Sequence, residues 1–193
     1  MLKTIPNIEA YPKTILLRDD TQVEMRPLTN DDKTRLLEFF MRIPEDDRFY
    51  LRENVASPEA IHEWTENLRF ERVFPIIALA GDTIVADATL HGSRAPARSH
   101  VAEIRIVVDP DFRQVGLGGR LMRELLDIAH EMGLYAATME LVEEREISAL
   151  IAAESIGFRR VATLPNRIKD TWGSYQSLVL LEIELEDHDS WWF

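Results

Sequence analysis

Residues 101–133, VAEIRIVVDPDFRQVGLGGRLMRELLDIAHEMG, pass from an apolar strand-like run through a glycine-rich turn into an amphipathic helix. That turn, Arg113-Gln114-Val115-Gly116-Leu117-Gly118-Gly119, constrains the fold more than any other stretch. Glycines where a strand hands over to a helix let backbone N–H groups converge on an anion, and the positive end of the helix dipole adds to the attraction. A phosphate or diphosphate is the expected guest; a ligand-free turn is the alternative. Two common phosphate loops do not fit. A Walker loop needs Lys and then Ser or Thr after its last glycine, where this chain has Arg120 and Leu121. A dinucleotide fingerprint needs G-x-G-x-x-G, and Gly116-x-Gly118-Gly119 is spaced differently.

Around this centre the pattern alternates strands and helices. Residues 14–17 and 22–25 read as short strands joined by the turn-forming Arg18-Asp19-Asp20-Thr21. Thr29 or Asn30 can cap a helix through Arg42 that buries Leu36, Leu37 and Phe40, and Pro44 ends it. Ser57-Pro58-Glu59 supplies an N-cap, a first-turn proline and an early acid for a helix towards Phe70. Residues 74–80 and 84–90 form an apolar hairpin around Gly81-Asp82, and a loop over 92–99 leads to the motif strand. The helix from Gly116 places Leu117, Leu121, Leu125, Ile128 and Met132 on one face, and Gly133 closes it. A strand at 135–142, a helix at 147–156 and strands at 158–163 and 175–185 follow, with a last loop over 167–173. The expectation is an α/β fold on a mixed sheet, with an arm at 1–12, one domain at 13–186 and an aromatic tail at 187–193. The tail ends in Trp191-Trp192-Phe193, which would dock on its own domain or on a second subunit, making a homodimer an option.

Composition suits a compact enzyme: 193 residues, 46% of them hydrophobic. No apolar run approaches the roughly 20 residues of a membrane span, and the N-terminus lacks a basic-then-apolar signal. The cytoplasm is the expected location. The absence of cysteine excludes disulfides, cysteine-ligated zinc and any acyl-cysteine intermediate. His91, His100 and His130 lack metal-ligand spacing, so no metal is expected. A net charge of −12 argues against a nucleic-acid surface. It suits a cationic partner, or else simply favours solubility. Arg113, Arg120 and Arg123 make the glycine segment a basic island on this acidic chain.

The segment does match R/Q-x-x-G-x-G/A after a strand that ends in Asp109-Pro110, and here it resembles motif A of the GNAT superfamily of acyl-CoA-dependent N-acetyltransferases. Residues 149–158, ALIAAESIGF, are similar to the family segment A-x-x-L-Y-x-x-x-G-F, with Ala153 where many members carry tyrosine and Glu146 at the usual asparagine position. Residues 17–28, LRDDTQVEMRPL, are similar to L-R-D-G-T-x-V-x-I-R-P. With Asp47-Arg48-Phe49-Tyr50, that opening resembles the acetyltransferase domain of bacterial Pat-type protein lysine acetyltransferases.

The resemblance implies the GNAT fold, a central mixed, mostly antiparallel, twisted sheet flanked by helices, with splayed strands at the acyl-CoA site. It implies acetyl-CoA as cosubstrate and direct acetyl transfer to a primary amine, a protein lysine first of all. The alternatives are a small cationic amine of polyamine or aminoglycoside kind, or a non-catalytic acyl-CoA sensor. The pantetheine arm would pair with the backbone of Ile106, Val107 and Val108, where an N–H polarises the thioester oxygen. The diphosphate would rest on the segment Arg113, Gln114, Val115, Gly116, Leu117, Gly118, Gly119 and Arg120, with Gly116 and Gly118 permitting close approach.

An amine acceptor is protonated in water, with a lysine pKa of about 10.4, and only its neutral form attacks a thioester. A carboxylate must receive the proton, directly or through water. Glu103 is the only acid in 101–108, and strand alternation puts Glu103, Arg105 and Val107 on one face, with Ile104, Ile106 and Val108 on the other. The resemblance nominates Glu103 as the catalytic glutamate; the plain alternative is a surface acid paired with Arg105. Alanine at 153 cannot protonate the leaving sulfur, and no general acid is assigned. Glu140, Glu143 and Glu144 form an acidic acceptor rim or a solvated charge run. Trp172 lines the acceptor pocket or packs.

Overall fold

The computed structural model describes residues 7–51, 55 and 57–185. The Trp191-Trp192-Phe193 tail lies outside them. Eight strands, β1 (Lys13–Leu16), β2 (Gln22–Pro27), β3 (Val73–Ala80), β4 (Thr83–Gly92), β5 (Val101–Val108), β6 (Ala136–Val142), β7 (Arg159–Lys169) and β8 (Tyr175–Glu184), form one sheet. Their spatial order is β1-β2-β3-β4-β5-β6-β8-β7. Every neighbouring pair is antiparallel except β5–β6. Parallel strands need a crossover, and helix α4 (Leu117–Glu131) supplies it. The sheet is therefore mixed and mostly antiparallel, as expected.

Helices cover both faces. On one side α4 buries Leu117, Leu121, Leu125, Ile128 and Met132 to 3% exposure or less against Ala102, Ile104 and the strands beside them. Each such side chain stabilises the fold by about 1.5–3 kcal/mol. Helix α5 (Ile147–Ile156) adds Leu150 and Ala153 to this layer. On the other side α1 (Lys33–Arg42) and α3 (Pro58–Glu66) bury Leu36, Phe39, Phe40 and Ile61 over Ile77, Leu79 and Ile84.

Several elements depart from the sequence reading. The stretch expected as one helix to Arg42 opens with a 3-10 turn at Asn30–Asp32, where the Thr29 N–H and hydroxyl both donate to Asp32. After Pro44 the chain makes a further single-turn helix, α2 (Glu45–Arg48). Helix α3 stops at Glu66, capped by Asn67, whose non-helical backbone ends the run while its side-chain amide donates to the Glu63 carbonyl. Strand β7 runs on to Lys169, placing Arg167 in the strand rather than in a loop. Pro165 and Asn166 resemble a strand end, but a register irregularity between Leu164 and Ile168 absorbs them. Asp170 then shapes the turn, accepting from the N–H groups of Trp172 and Ser174 at 3.0 and 2.7 Å. Within the described part of the N-terminal arm, the Tyr11 hydroxyl donates to Glu124 of α4, which also takes Lys13 at 2.6 Å.

Candidate active site

β5 lies between two unequal neighbours. It pairs with β4 from Gly92↔Ala102 to Ala86↔Val108, whereas its parallel pairing with β6 covers only Val101↔Ala136, Ala102↔Ala137 and Glu103↔Thr138. β6 continues along β8 as far as Val142. The two central strands therefore diverge after Glu103, and residues 104–108 present one backbone edge that β6 does not fill. Such an edge accepts an extended ligand as a further strand would be accepted. Ile106, Val107 and Val108 belong to this stretch, and because the backbone groups of successive residues point to opposite edges, alternate ones face the opening. Side chains alternate as expected, with Ile106 and Val108 packed on the α4 side and Val107 on the α1 side.

The strand leads through a 3-10 turn, Pro110–Phe112, into the glycine segment. Gly116 sits at φ +93°, a left-handed conformation open to glycine, and turns the chain into α4 without any side-chain cap. The intrahelical ladder starts with the Arg120 N–H on the Gly116 carbonyl at 3.2 Å. The N–H groups of Leu117, Gly118 and Gly119 precede that ladder and have no partner within the helix. A Cβ added at Gly118 would meet only the Val108 Cγ2, at 3.9 Å. No other described residue comes within 4 Å of that position. Gln114 also takes a positive φ, 64°, in the same bend.

The arginines around this segment divide by partner. Arg113 donates to the Val108 carbonyl at 3.0 Å and to Asp47 of α2 at 2.8 Å, and Arg145 reaches the other Asp47 oxygen. Burial pushes the Asp47 carboxyl up, but its bonds from Arg145 and Arg113 outweigh this and hold its pKa below the ordinary value. Arg113 thus braces the loop with its charge already shared. Arg18, from the β1–β2 turn, lies across Gly116, its Nε 3.6 Å from where a Cβ would stand, and its backbone N–H donates to the Val115 carbonyl at 3.1 Å. Arg120 is exposed on the first turn of α4, and Arg123 bonds back to the Gly119 carbonyl at 3.3 Å.

On the opposite face of β5, Glu103 accepts from Arg105 Nε and Nη2, both at 3.1 Å. Across the strands His91 stands opposite Glu103, Thr89 opposite Arg105 and Asp87 opposite Val107. Asp87 was not among the residues singled out by sequence. Its signal is an acid centred in an apolar strand, IVADATL. Arg18 and Asp47 lie in the two segments that resemble Pat-type domains, but only the fold brings them to the loop.

The other candidates are placed as follows. Glu143 pairs with Arg160 at 2.7 Å, and Glu144 accepts from the Ser177 N–H at 3.0 Å. Trp172 is 73% exposed on its turn. Ala153 is fully buried. Glu146 turns inward to take the Val142 N–H at 2.6 Å, and burial raises its pKa more than that bond lowers it. No group of three or more potential metal ligands occurs among the described residues, and no helix among them is long and apolar enough to cross a membrane.

A profile of the acetyltransferase (GNAT) family matches residues 35–158, more than half of the chain. The chain belongs to the GNAT acetyltransferase family. Acetyl-CoA is the cosubstrate of a GNAT acetyltransferase. No curated protein matches the sequence. Solved structures match the fold at low identity. yncA from Salmonella typhimurium, solved with its cofactor acetyl-CoA, is 16% identical at a TM-score of 0.73, over 87% of this chain and 96% of its own. The GNAT domain of the S. lividans PAT is 21% identical at 0.72, over 90% and 97%. A ribosomal-protein-alanine N-acetyltransferase from Brucella melitensis is 20% identical at 0.72, over 83% and 99%.

The residues of this acetyltransferase fit the cosubstrate. Its free N–H groups and unfilled space at Gly118 suit a diphosphate, Arg18 and Arg120 add positive charge, and the open edge of β5 suits a pantetheine chain. The bound thioester supplies an activated acetyl group.

Proposed function

We propose that this enzyme transfers the acetyl group directly to the side-chain amine of a lysine on another protein. The observation that carries the reading is the open edge of β5, which runs from the cofactor loop towards the carboxylate of Glu103 on the acceptor face. Direct transfer follows because the chain has no cysteine to hold an acyl group. Lysine is favoured by the net charge of −12, by the likeness of residues 17–28 and 47–50 to Pat-type domains, and by the fold shared with the S. lividans PAT domain. Glu103 receives the proton that the amine gives up, through water, and Arg105 fixes the direction of its carboxylate. An N–H within 106–108 polarises the acyl oxygen, and the segment 114–120 holds the phosphates, chiefly through the N–H groups of Leu117, Gly118 and Gly119. Residues 13–186 form the catalytic unit, with an N-terminal arm before it and the aromatic tail after it, acting in the cytoplasm.

The test is thiol release with acetyl-CoA over a panel of lysine-bearing proteins, polyamines and aminoglycosides, followed by mass spectrometry of the protein acceptors. Acetylated lysines at stoichiometric yield support the reading. Turnover on the free amines alone moves the enzyme to the small-molecule class, and cofactor binding without turnover makes it a sensor. Deleting residues 187–193 tests the tail: a drop in solution mass makes it a dimer contact.

A further inference from the structure

Asp87 is a carboxylate that neither the packing of the fold nor the machinery above explains. It lies in the middle of β4, between the fully buried Ala86 and Ala88. Its register partners are Ile77 on β3 and Val107 on β5. Directly opposed residues share a face of the sheet, so Asp87 points to the side of Thr89, Arg105 and Glu103, away from α4. The apolar cluster beneath α1 and α3 holds Ile77, and Val107 packs against it.

No hydrogen bond or ion pair to the Asp87 carboxylate occurs among the described residues. The cations on the elements around it are engaged elsewhere. Arg26 of β2 holds Asp32, Arg42 of α1 holds Asp109 and the Ile84 carbonyl, and Arg105 of β5 holds Glu103. His91, the remaining titratable group on that face of β4, bonds Thr89 at 2.8 Å. An unpaired carboxylate in such surroundings is costly to keep. Burial alone pushes its pKa up to about 7. Yet Asp87 remains partly accessible while its neighbours in sequence are sealed. A fold that pays for such a group without pairing it keeps it for a cation from outside.

We propose that Asp87 is the counter-ion of the acceptor: it receives an ammonium group and holds the nitrogen beside Val107, where the acyl carbon is delivered. The inference rests on the acetyltransferase reading of the β5 edge. It also narrows the acceptor class to amines at the end of a slim, straight chain, as in lysine, because the carboxylate is half-buried beside the apolar cluster that holds Ile77. A peptide α-amine, crowded by its own backbone, reaches it poorly. Four residues along the strands, about 13 Å, separate Asp87 from the position opposite Glu103, so the two carboxylates act at different points. The ammonium gives up two protons in all. One passes through water to Glu103 and on to solvent; the other ends on the departing sulfur. The freed nitrogen pair forms the C–N bond as the C–S bond breaks, and sulfur keeps that bonding pair.

The experiment compares wild type with Asp87→Asn and Asp87→Glu. It measures acceptor KM, kcat, acetyl-CoA affinity and thermal midpoint, using a lysine peptide and the same peptide with only its α-amine free. We expect Asp87→Asn to raise the lysine-peptide KM by about 10-fold or more, to leave acetyl-CoA affinity unchanged, and to raise the melting temperature at pH 8 by removing a buried charge. Asp87→Glu should recover part of the KM. In wild type the acceptor KM should rise as pH falls from 8 to 6, since a protonated Asp87 cannot pair with an ammonium. That measurement stands even if the variants do not fold. An unchanged KM in folded Asp87→Asn, a flat KM between pH 6 and 8, or a preference for the α-amine would overturn the proposal. Absence of any transfer by wild type would instead overturn the acetyltransferase reading on which it rests.

Discussion

Arg113 of the cofactor loop donates to Asp47 of α2 at 2.8 Å, joining two segments 66 residues apart. Arg145, from the β6–α5 connection, binds the second oxygen of the same carboxylate and lies over the Tyr50 ring at 4.6 Å. One acid thus ties three connections around the open end of the β5–β6 cleft. With both oxygens bonded to guanidinium groups, the carboxylate is held in one position, and the loop before Gly116 is held with it.

Replacing Asp47 by Asn should destabilise the protein by about 1–3 kcal/mol at pH 7, because two charge-assisted bonds weaken while both arginines remain. The folded-state pKa of Asp47 is depressed, so its contribution is present above the unfolded value near 4 and disappears as pH falls through the folded one. Urea titrations of wild type and Asp47→Asn should therefore differ at pH 7 and converge at strongly acid pH. A gap of the same size at both pH values would assign the loss to shape rather than charge.

Gly118 tests the phosphate cradle. A Cβ there meets only Val108 among the described residues, at ordinary contact distance. Gly118→Val should therefore keep its fold and its melting temperature within a few degrees. The same side chain fills the space where backbone N–H groups approach the diphosphate, and acetyl-CoA affinity should fall by about 100-fold, two lost charged hydrogen bonds. Calorimetric titration of the folded variant decides the matter: tight binding refutes the cradle.

Arg18 separates charge from geometry at the same place. Its guanidinium lies over Gly116 with no carboxylate partner among the described residues. Removing it costs the folded protein little, since exposed cations contribute little to stability. Arg18→Ala should weaken acetyl-CoA binding by about 10-fold at low salt, the worth of one phosphate contact. The deficit should shrink as ionic strength rises and screening weakens the wild-type contact. Equal affinity of the two proteins at low salt would remove Arg18 from the site.

Local pattern made the centre of this fold legible. Strand β5 and helix α5 occupy the residues expected for them, and the two faces of β5 divide as the period of two requires. The Pat-like opening strands and the crossover helix also follow from neighbouring residues alone. Long-range register was hidden. Arg18 reaches Gly116 through the β1–β2 turn, Asp47 reaches Arg113 across the fold, and Asp87 meets Val107 by antiparallel pairing. Such encounters depend on which strands adjoin, and no periodicity within one strand carries that. The extension of β7 was hidden for another reason: Pro165 and Asn166 are turn formers that the sheet accommodates by an irregularity.

The role proposed for Glu103 is tested by its own replacement, and its pairing sharpens the expected result. The Arg105 guanidinium donates to both carboxylate oxygens, a two-point contact of the fork kind. Glutamine at 103 keeps one acceptor oxygen and nearly the same volume, so the strand and the Arg105 contact should persist. The amide cannot take up a proton. Glu103→Gln should reduce kcat by about 100-fold or more with acetyl-CoA affinity unchanged. If Glu103 only anchors Arg105, kcat should instead stay within a few-fold of wild type. Raising the pH increases the fraction of neutral amine and bypasses the missing base. The deficit of the variant should accordingly narrow between pH 7 and 9.5, measured by thiol release at saturating acetyl-CoA, and a constant deficit across that range would show that proton uptake is not what Glu103 provides.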